Sequence, residues 1–423
     1  MQESRNSGPV SRHRGNGQAW HPLTSDRSRE NSMKSRRCKS AARSHWNFGR
    51  GRRVSVLRSG FCEAGYSGRG DGNVALDTVK PAPMDRSGVP DLRVGAAEVV
   101  RQLTGPNSAN RTDRWNVHGT DLGHMFRHKG ALYMVFGDTF GADGGAWRSS
   151  TMARITEPPG SFDFAQMIEG PDGSAKELIG SAKLPGFEWT VIPTNGISLG
   201  DRMVLHYMSV RMWTSNGRWL VRRSGLAYSD DDGWTWHRSP AAVWPNGVGF
   251  EQVAFVDLGG MIYSFGIPAG RFGEVRLRRV GRDAIFDPAA YRYWDGSGWV
   301  PDHRAAAAVV PAPAGELSVA WSETHRRWLM MYLDEVQAAI VLRMADELTG
   351  PWSKPQTVAQ ARDYPGLYAP FIVPGDALDD AVSFTMSRWK PLYNVFLMKA
   401  PLHYETPVIA AAGDGSSTNT ASS

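Results

Sequence analysis

Short β-rich runs recur along most of this 423-residue chain. Turns rich in Gly, Pro, Asn and Asp separate them, and this repetition constrains the fold more than any single residue does. The runs fall into five groups. Residues 121–127, 131–137 and 149–155 form the first; 191–199, 202–210, 219–228 and a short 234–237 form the second. The third is read at 251–257, 261–267, 274–280 and 291–294, the fourth at 317–322, 327–333 and 338–344, and the fifth at 368–373, 381–386 and 393–399. A three- or four-stranded meander leaves two apolar faces that only neighbouring meanders can cover. Five in series therefore predict an all-β, five-bladed β-propeller over residues 91–402. The segment 91–103 is expected to lend an outer strand to the last blade and close the ring. The 16 Trp, 12 Tyr, 16 Phe and 46 Gly, with 21% charged residues, favour strands and turns over helices.

The net charge of +6 describes one end of the chain. Of 48 Lys/Arg and 42 Asp/Glu, residues 1–80 hold 16 and 6, which leaves 32 and 36 for the rest. The body is mildly acidic, so no nucleic-acid partner is expected for the folded domain. Residues 1–85 are rich in Ser, Arg, Gly and Asn without hydrophobic periodicity and are expected to be a disordered basic tail. An overlong start with Met84 as the true first residue is an alternative. Residues 403–423 are expected to form a flexible C-terminal tail. Cys38 and Cys62 lie in the basic segment, so the body has no disulfide framework and no cysteine nucleophile. No window resembles an export signal and no 18-residue apolar span exists. Localisation is therefore open, with the cell envelope or secretion implied only if the substrate lies there. A monomer is expected.

Two carboxylates stand inside runs that otherwise read as buried strands. Asp121 lies in G-T-D-L-G, and Asp138 closes the apolar run from Ala131 with F-G-D-T. Burying an unpaired carboxylate is costly or forces it to take up a proton, so a pair delivered by adjacent strands suggests acid/base chemistry. Local turn-capping is the alternative role for each. The first strands of the groups bring further polar and aromatic candidates toward the axis: His118, Asn195, Glu251, Gln252, Trp321 and Tyr368. Carboxylates and amides bond hydroxyls while aromatic faces cover sugar rings, so these residues are read as a carbohydrate-binding funnel. His118, His124 and His128 have no companion cluster at zinc-ligand spacing. No metal or cofactor is expected, although the channel of such a ring could hold a structural ion. No G-x-S-x-G elbow, P-loop or dinucleotide fingerprint occurs in a suitable context.

Several motifs carry family resemblances. Ser229 to Trp236, S-D-D-D-G-W-T-W, fits the Asp-box turn of sialidase-type propellers, which assigns Asp230, Asp231 and Asp232 a structural role. Residues 345–353 resemble the connector before an outer strand in five-bladed glycosidases. G-T-D-L-G (119–123), L-Y-M-V-F-G-D-T-F (132–140), T-N-G-I (194–197) and Y-A-P-F-I (368–372) resemble domain-of-unknown-function family 4185 across about 91–402. That family is associated with glycoside hydrolase family 183, endo-acting D-arabinanases of propeller fold that cut the arabinan of mycobacterial arabinogalactan and lipoarabinomannan. The resemblance implies that activity here, with the catalytic aspartates falling on Asp121 and Asp138. Inversion is expected, with Asp121 as base and Asp138 as acid. The alternatives are a non-catalytic propeller that binds glycan or protein, and an exo-acting glycosidase. The latter, if sialidase-like, needs an arginine cluster drawn from several blades, whereas Arg271, Arg276, Arg278 and Arg279 are close in sequence.

Overall fold

The computed structural model describes residues 91–156, 162–215, 217–375 and 378–405. The expected basic tail, with Cys38, Cys62 and Met84, lies outside them, as does most of the expected C-terminal tail. Five antiparallel sheets make up the described chain. Blade 1 comprises Gly119–His128, Ala131–Phe140, Thr151–Ile155 and Phe164–Met167; blade 2 comprises Thr190–Leu199, Arg202–Trp213, Trp219–Ser229 and His237–Pro245. Blade 3 has Gln252–Leu258, Met261–Ile267, Gly273–Gly281 and outer strand Ala308–Ala314, with a small hairpin, Arg292–Trp294 and Trp299–Val300, on its third strand. Blade 4 is Leu317–Ser322, Arg327–Asp334, Ala339–Ala345 and Gln356–Gln360. Blade 5 has Leu367–Ile372, Ala381–Arg388 and Asn394–Tyr404. The five first strands touch their neighbours in a closed circle, so the sheets form a five-bladed propeller.

The ring closes through hydrogen bonds between the two ends of the described chain. Leu92–Val94 pairs with the end of the last strand (Leu92 opposite Tyr404), and Glu98–Gln102 pairs with its beginning (Gln102 opposite Phe396). Closure follows the sequence expectation, with two differences. The single expected run is split at Gly95, where a Cβ would lie 2.7 Å from Pro401 Cγ, and the last strand continues to Tyr404.

Sequence patterning also misses three outer strands, Phe164–Met167, Ala308–Ala314 and Gln356–Gln360, and reads the fourth, His237–Pro245, as a short run at 234–237, most of which is a turn. An outermost strand has a partner on one side only and tolerates proline, as A-V-V-P-A-P-A does, so strand propensity says little there.

The motifs that carry the family resemblance are irregularities in inner strands or in the strand paired with one. Between the pairs Thr120–Thr139 and Leu122–Phe136, Asp121 faces two residues, Gly137 and Asp138. A second bulge of opposite sense follows at Gly123. Leu122 (φ 70°) and Gly123 (φ 77°) are both left-handed, a conformation that a bulky residue adopts only when its surroundings impose it. Blade 5 imposes it: Leu122 N donates to Ser387 Oγ at 2.8 Å, and Thr385 Oγ1 donates to Gly123 O at 3.0 Å. T-N-G-I and Y-A-P-F-I contain register breaks of their own, between Pro193 and Asn195 and between Tyr368 and Phe371.

The Asp-box turn spends its acids on structure. Asp231 Oδ1 accepts from Ser229 Oγ at 2.8 Å and Thr235 N at 2.7 Å. Asp230 pairs with Arg202, and Asp232 ties blade 2 to Lys129 and His128 of blade 1. Ser229 is fully buried, and its Oγ also accepts from Gly233 N at 2.9 Å. Ser229→Ala leaves that N–H unpaired and is expected to lower stability by about 1–3 kcal/mol, measured by denaturant unfolding; an unchanged midpoint would contradict this account of the turn.

Candidate active site

Asp121 stands near the start of the blade 1 inner strand, and Asp138 near the end of the strand that returns beside it. The bulge sets them next to each other at one end of the ring. Tyr368, near the start of the blade 5 inner strand, donates its hydroxyl to Asp121 Oδ2 at 2.7 Å. Thr190, at the start of the blade 2 inner strand, donates to Asp138 Oδ1 at 2.6 Å, and Trp147 Nε1 donates to the same oxygen at 2.8 Å. Three blades therefore converge on two carboxyls.

The two acids differ in their hydrogen bonding and so in their affinity for a proton. Asp121 Oδ1 is buried without a partner, packed against Gly137, where a Cβ would lie 2.4 Å away. Burial first, and the charge of Asp138 second, push the Asp121 pKa up to about 8, against the Tyr368 hydrogen bond. Asp138 is raised by burial only to about 6, because Thr190, Trp147 and the ammonium of Lys183 favour its ionised form. Lys183 is locked in place by Glu177 at 2.8 Å and Ser149 at 2.7 Å, and lies 4.0 Å above the Trp147 ring. At neutral pH one carboxyl thus keeps its proton while its neighbour is largely ionised.

Around the pair, Phe140 packs between Trp147 and Tyr393, with ring centroids 6.4 and 6.2 Å away. The Tyr393 hydroxyl is pushed up to about 12 by burial and then by the two aspartates. Arg271 lies 4.9 Å from the Tyr368 ring and 5.8 Å from that of Trp219, and pairs with Glu316 at 3.0 Å. Its backbone N–H bonds Gly217 O, so the long blade 2 hairpin reaches across to blade 3. Among the described residues, no cluster of three or more His, Cys, Asp or Glu is placed to hold a metal ion.

Of the residues singled out from sequence, Asp121, Asp138 and Tyr368 come together. Gln252, buried at the start of the blade 3 inner strand, donates to Gly270 O at 3.0 Å and so fixes the loop that carries Arg271. Asn195 is buried midway along the blade 2 inner strand. His118 precedes the blade 1 inner strand, where its backbone N–H bonds Phe140 O and its imidazole neighbours Asp113.

Two expectations need correction. Glu251 is fully buried and accepts from the backbone N–H groups of Gly247, Val248 and Gly249, so it caps a turn and has no oxygen free for a ligand. Trp321 lies at the end of its inner strand opposite Glu316, hence at the far end of the ring, where Nε1 bonds Glu323. The three sequence-neighbouring histidines also disperse: His124 packs against Phe371, and His128 bonds Ser198 and Asp232. Sequence reasoning missed Trp147, Thr190 and Glu316, and set Arg271 aside as one of four arginines close in sequence. Thr190 is the first residue of an inner strand and Glu316 immediately precedes one, positions that would have marked them.

This site and ring define a β-propeller with a half-buried acid pair at its mouth. The chain belongs to the family described as Domain of unknown function (DUF4185), whose model matches residues 107–399. It is 31% identical over 290 residues to "Notoamide biosynthesis cluster protein J'" of Aspergillus versicolor, covering 62% of this chain and 78% of that protein. Among solved structures, a "putative hydrolase" from Bacteroides ovatus shares the fold, with TM-score 0.53 and 11% identity over 76% of this chain and 96% of that one. A GH43_1 enzyme from Xanthomonas citri gives 0.47 at 14% identity (73% and 92%), and a family 117 glycoside hydrolase from Zobellia galactanivorans gives 0.46 at 9% (73% and 90%).

Two outcomes follow from this geometry. Gly137→Ala puts a methyl group against Asp121 Oδ1 and Leu122, and should cost about 1–3 kcal/mol of stability; no change in the denaturation midpoint would contradict the packing described. Because the Asp121 pKa is raised on folding, its contribution to stability is present below about pH 4 and is lost as pH rises toward 8. Asp121→Asn removes that loss. The variant's Tm relative to wild type should climb from pH 4 to pH 8 and level off above; a difference independent of pH would contradict it.

Proposed function

We propose that this protein is a glycoside hydrolase that cleaves internal α-D-arabinofuranosyl linkages in the D-arabinan of arabinogalactan or lipoarabinomannan, by inverting acid/base catalysis on Asp121 and Asp138. The observation that carries this reading is a pair of carboxyls at one mouth of the ring whose surroundings push their proton affinities apart, to about 8 and about 6, as an acid and a base in glycosidic cleavage require. Asp121, the more strongly proton-retaining acid, donates to the departing oxygen. Asp138, whose Oδ2 is neither sealed nor hydrogen-bonded, takes a proton from the attacking water. The difference in proton affinity supports this assignment over the opposite one expected from sequence. Family membership supports the D-arabinan substrate through the family's association with endo-D-arabinanases, and the aromatic wall of Phe140, Trp147 and Tyr393 suits sugar rings.

The relative named for a notoamide biosynthesis cluster favours a second reading, in which the same acid pair acts on a small molecule. Substrate separates the two. Incubation with D-arabinan, arabinogalactan and an L-arabinan control should release reducing ends from the first two only, as oligosaccharides of several sizes. Single sugars from the outset would indicate exo action, and no release would defeat the glycosidase reading. Asp121→Asn and Asp138→Asn should each lower kcat by about 10²–10⁴-fold. The pH profile should be bell-shaped, rising through about 6 as Asp138 ionises and falling through about 8 as Asp121 loses its proton. A profile flat from pH 5 to 9 would refute the two-acid mechanism.

A further inference from the structure

Away from the mouth, Arg278 is completely buried on the third strand of blade 3. Its guanidinium carbon lies 4.5 Å from the Trp244 ring centre and 4.6 Å from those of Phe250 and Tyr291. None of its three nitrogens has a hydrogen-bond partner. The nearby polar groups are committed elsewhere or carry no negative charge. Glu251, next to Phe250, is taken up by the turn at 247–249, and the Tyr291 hydroxyl donates to Ile285 O at 2.7 Å. His206 is held neutral, first by burial and then by the charge of Arg278, and its Nδ1 engages Thr194 Oγ1 at 2.7 Å.

Three further enclosed groups of this layer lack partners, the neutral His206 at its Nε2 among them. Trp244 Nε1 can only donate, and Ser264, the cross-strand partner of Arg278, has an unpaired Oγ. A guanidinium cannot shed its proton, so the charge stays. Aromatic faces attract the cation but accept none of its five in-plane N–H bonds. A buried charge with neither counter-charge nor hydrogen bonds is among the costliest arrangements a fold can contain. Water would satisfy the donors and leave the charge uncompensated; an anion does both.

We propose that Arg278 is the centre of a buried site for a small monovalent anion of the halide class, at the seam of blades 2 and 3, with Ser264 Oγ and Trp244 Nε1 as additional donors. Enclosure excludes large anions, and the permanent charge of Arg278 at the centre excludes a cation. The ion ties the seam together and takes no part in the chemistry at the mouth.

The test is thermal unfolding of the full chain at constant ionic strength as chloride replaces gluconate, for wild type and Arg278→Met. In wild type the folding equilibrium constant should rise about tenfold per tenfold increase in chloride once the site begins to fill, and the variant should lose this chloride-specific response. Equal Tm of wild type in the two salts, or an undiminished response in the variant, would overturn the proposal. If Arg278→Met fails to fold, wild-type crystals grown in bromide decide: an anomalous peak in contact with the guanidinium supports the site, and water or no density there overturns it.

Discussion

Backbone pairing of residues 92–102 with the last strand, Asn394–Tyr404, is the constraint on which the rest of the molecule depends. It turns a row of five sheets into a ring and gives blade 5 its outer edge. Blade 5 in turn shapes the mouth. Ser387 and Thr385 hold the left-handed bulge at Leu122 and Gly123, and Tyr368 bonds Asp121. Closure far along the chain thus determines the direction of a carboxyl in blade 1. Two soft, opposite bulges in that blade would have no reason to persist without a neighbour to bond their exposed backbone groups.

The acid pair shows how a fold separates two chemically identical groups. Both aspartates are penalised by burial, yet Asp138 receives two hydrogen bonds on one oxygen and a nearby ammonium, while Asp121 has one hydroxyl donor and an oxygen sealed against Gly137. The charge of Asp138 then works against ionisation of Asp121. Proximity and unequal solvation together keep one proton on the pair near neutrality. Arg271 moderates this from the ring interior but divides its attraction with Glu316 and Glu335.

The fold was legible in the sequence because inner and middle strands are apolar and bounded by turn residues, and because meanders repeat. Outer strands such as Ala308–Ala314 escaped, since their pairing is imposed by the sheet they join. Asp121 and Asp138 stood out as charges inside apolar runs. Of their supports only Tyr368 did, because Trp147 follows a loop and Thr190 opens another blade; only the ring brings them to the pair. Glu251 looked like a channel residue, yet the preceding N-G-V-G-F supplies the turn N–H groups that occupy it. Trp321 was placed by strand membership alone, without regard to which end of the strand meets the mouth.

The central claim is that Asp121 holds the proton while its neighbour is ionised. Carbon-13 NMR titration of aspartate carboxyls in the full-length protein tests it most directly. The account predicts one carboxyl titrating near 8 and another near 6, with the higher transition absent from Asp121→Asn. Ionisation of every aspartate below about pH 5, or survival of the higher transition in that variant, would contradict it.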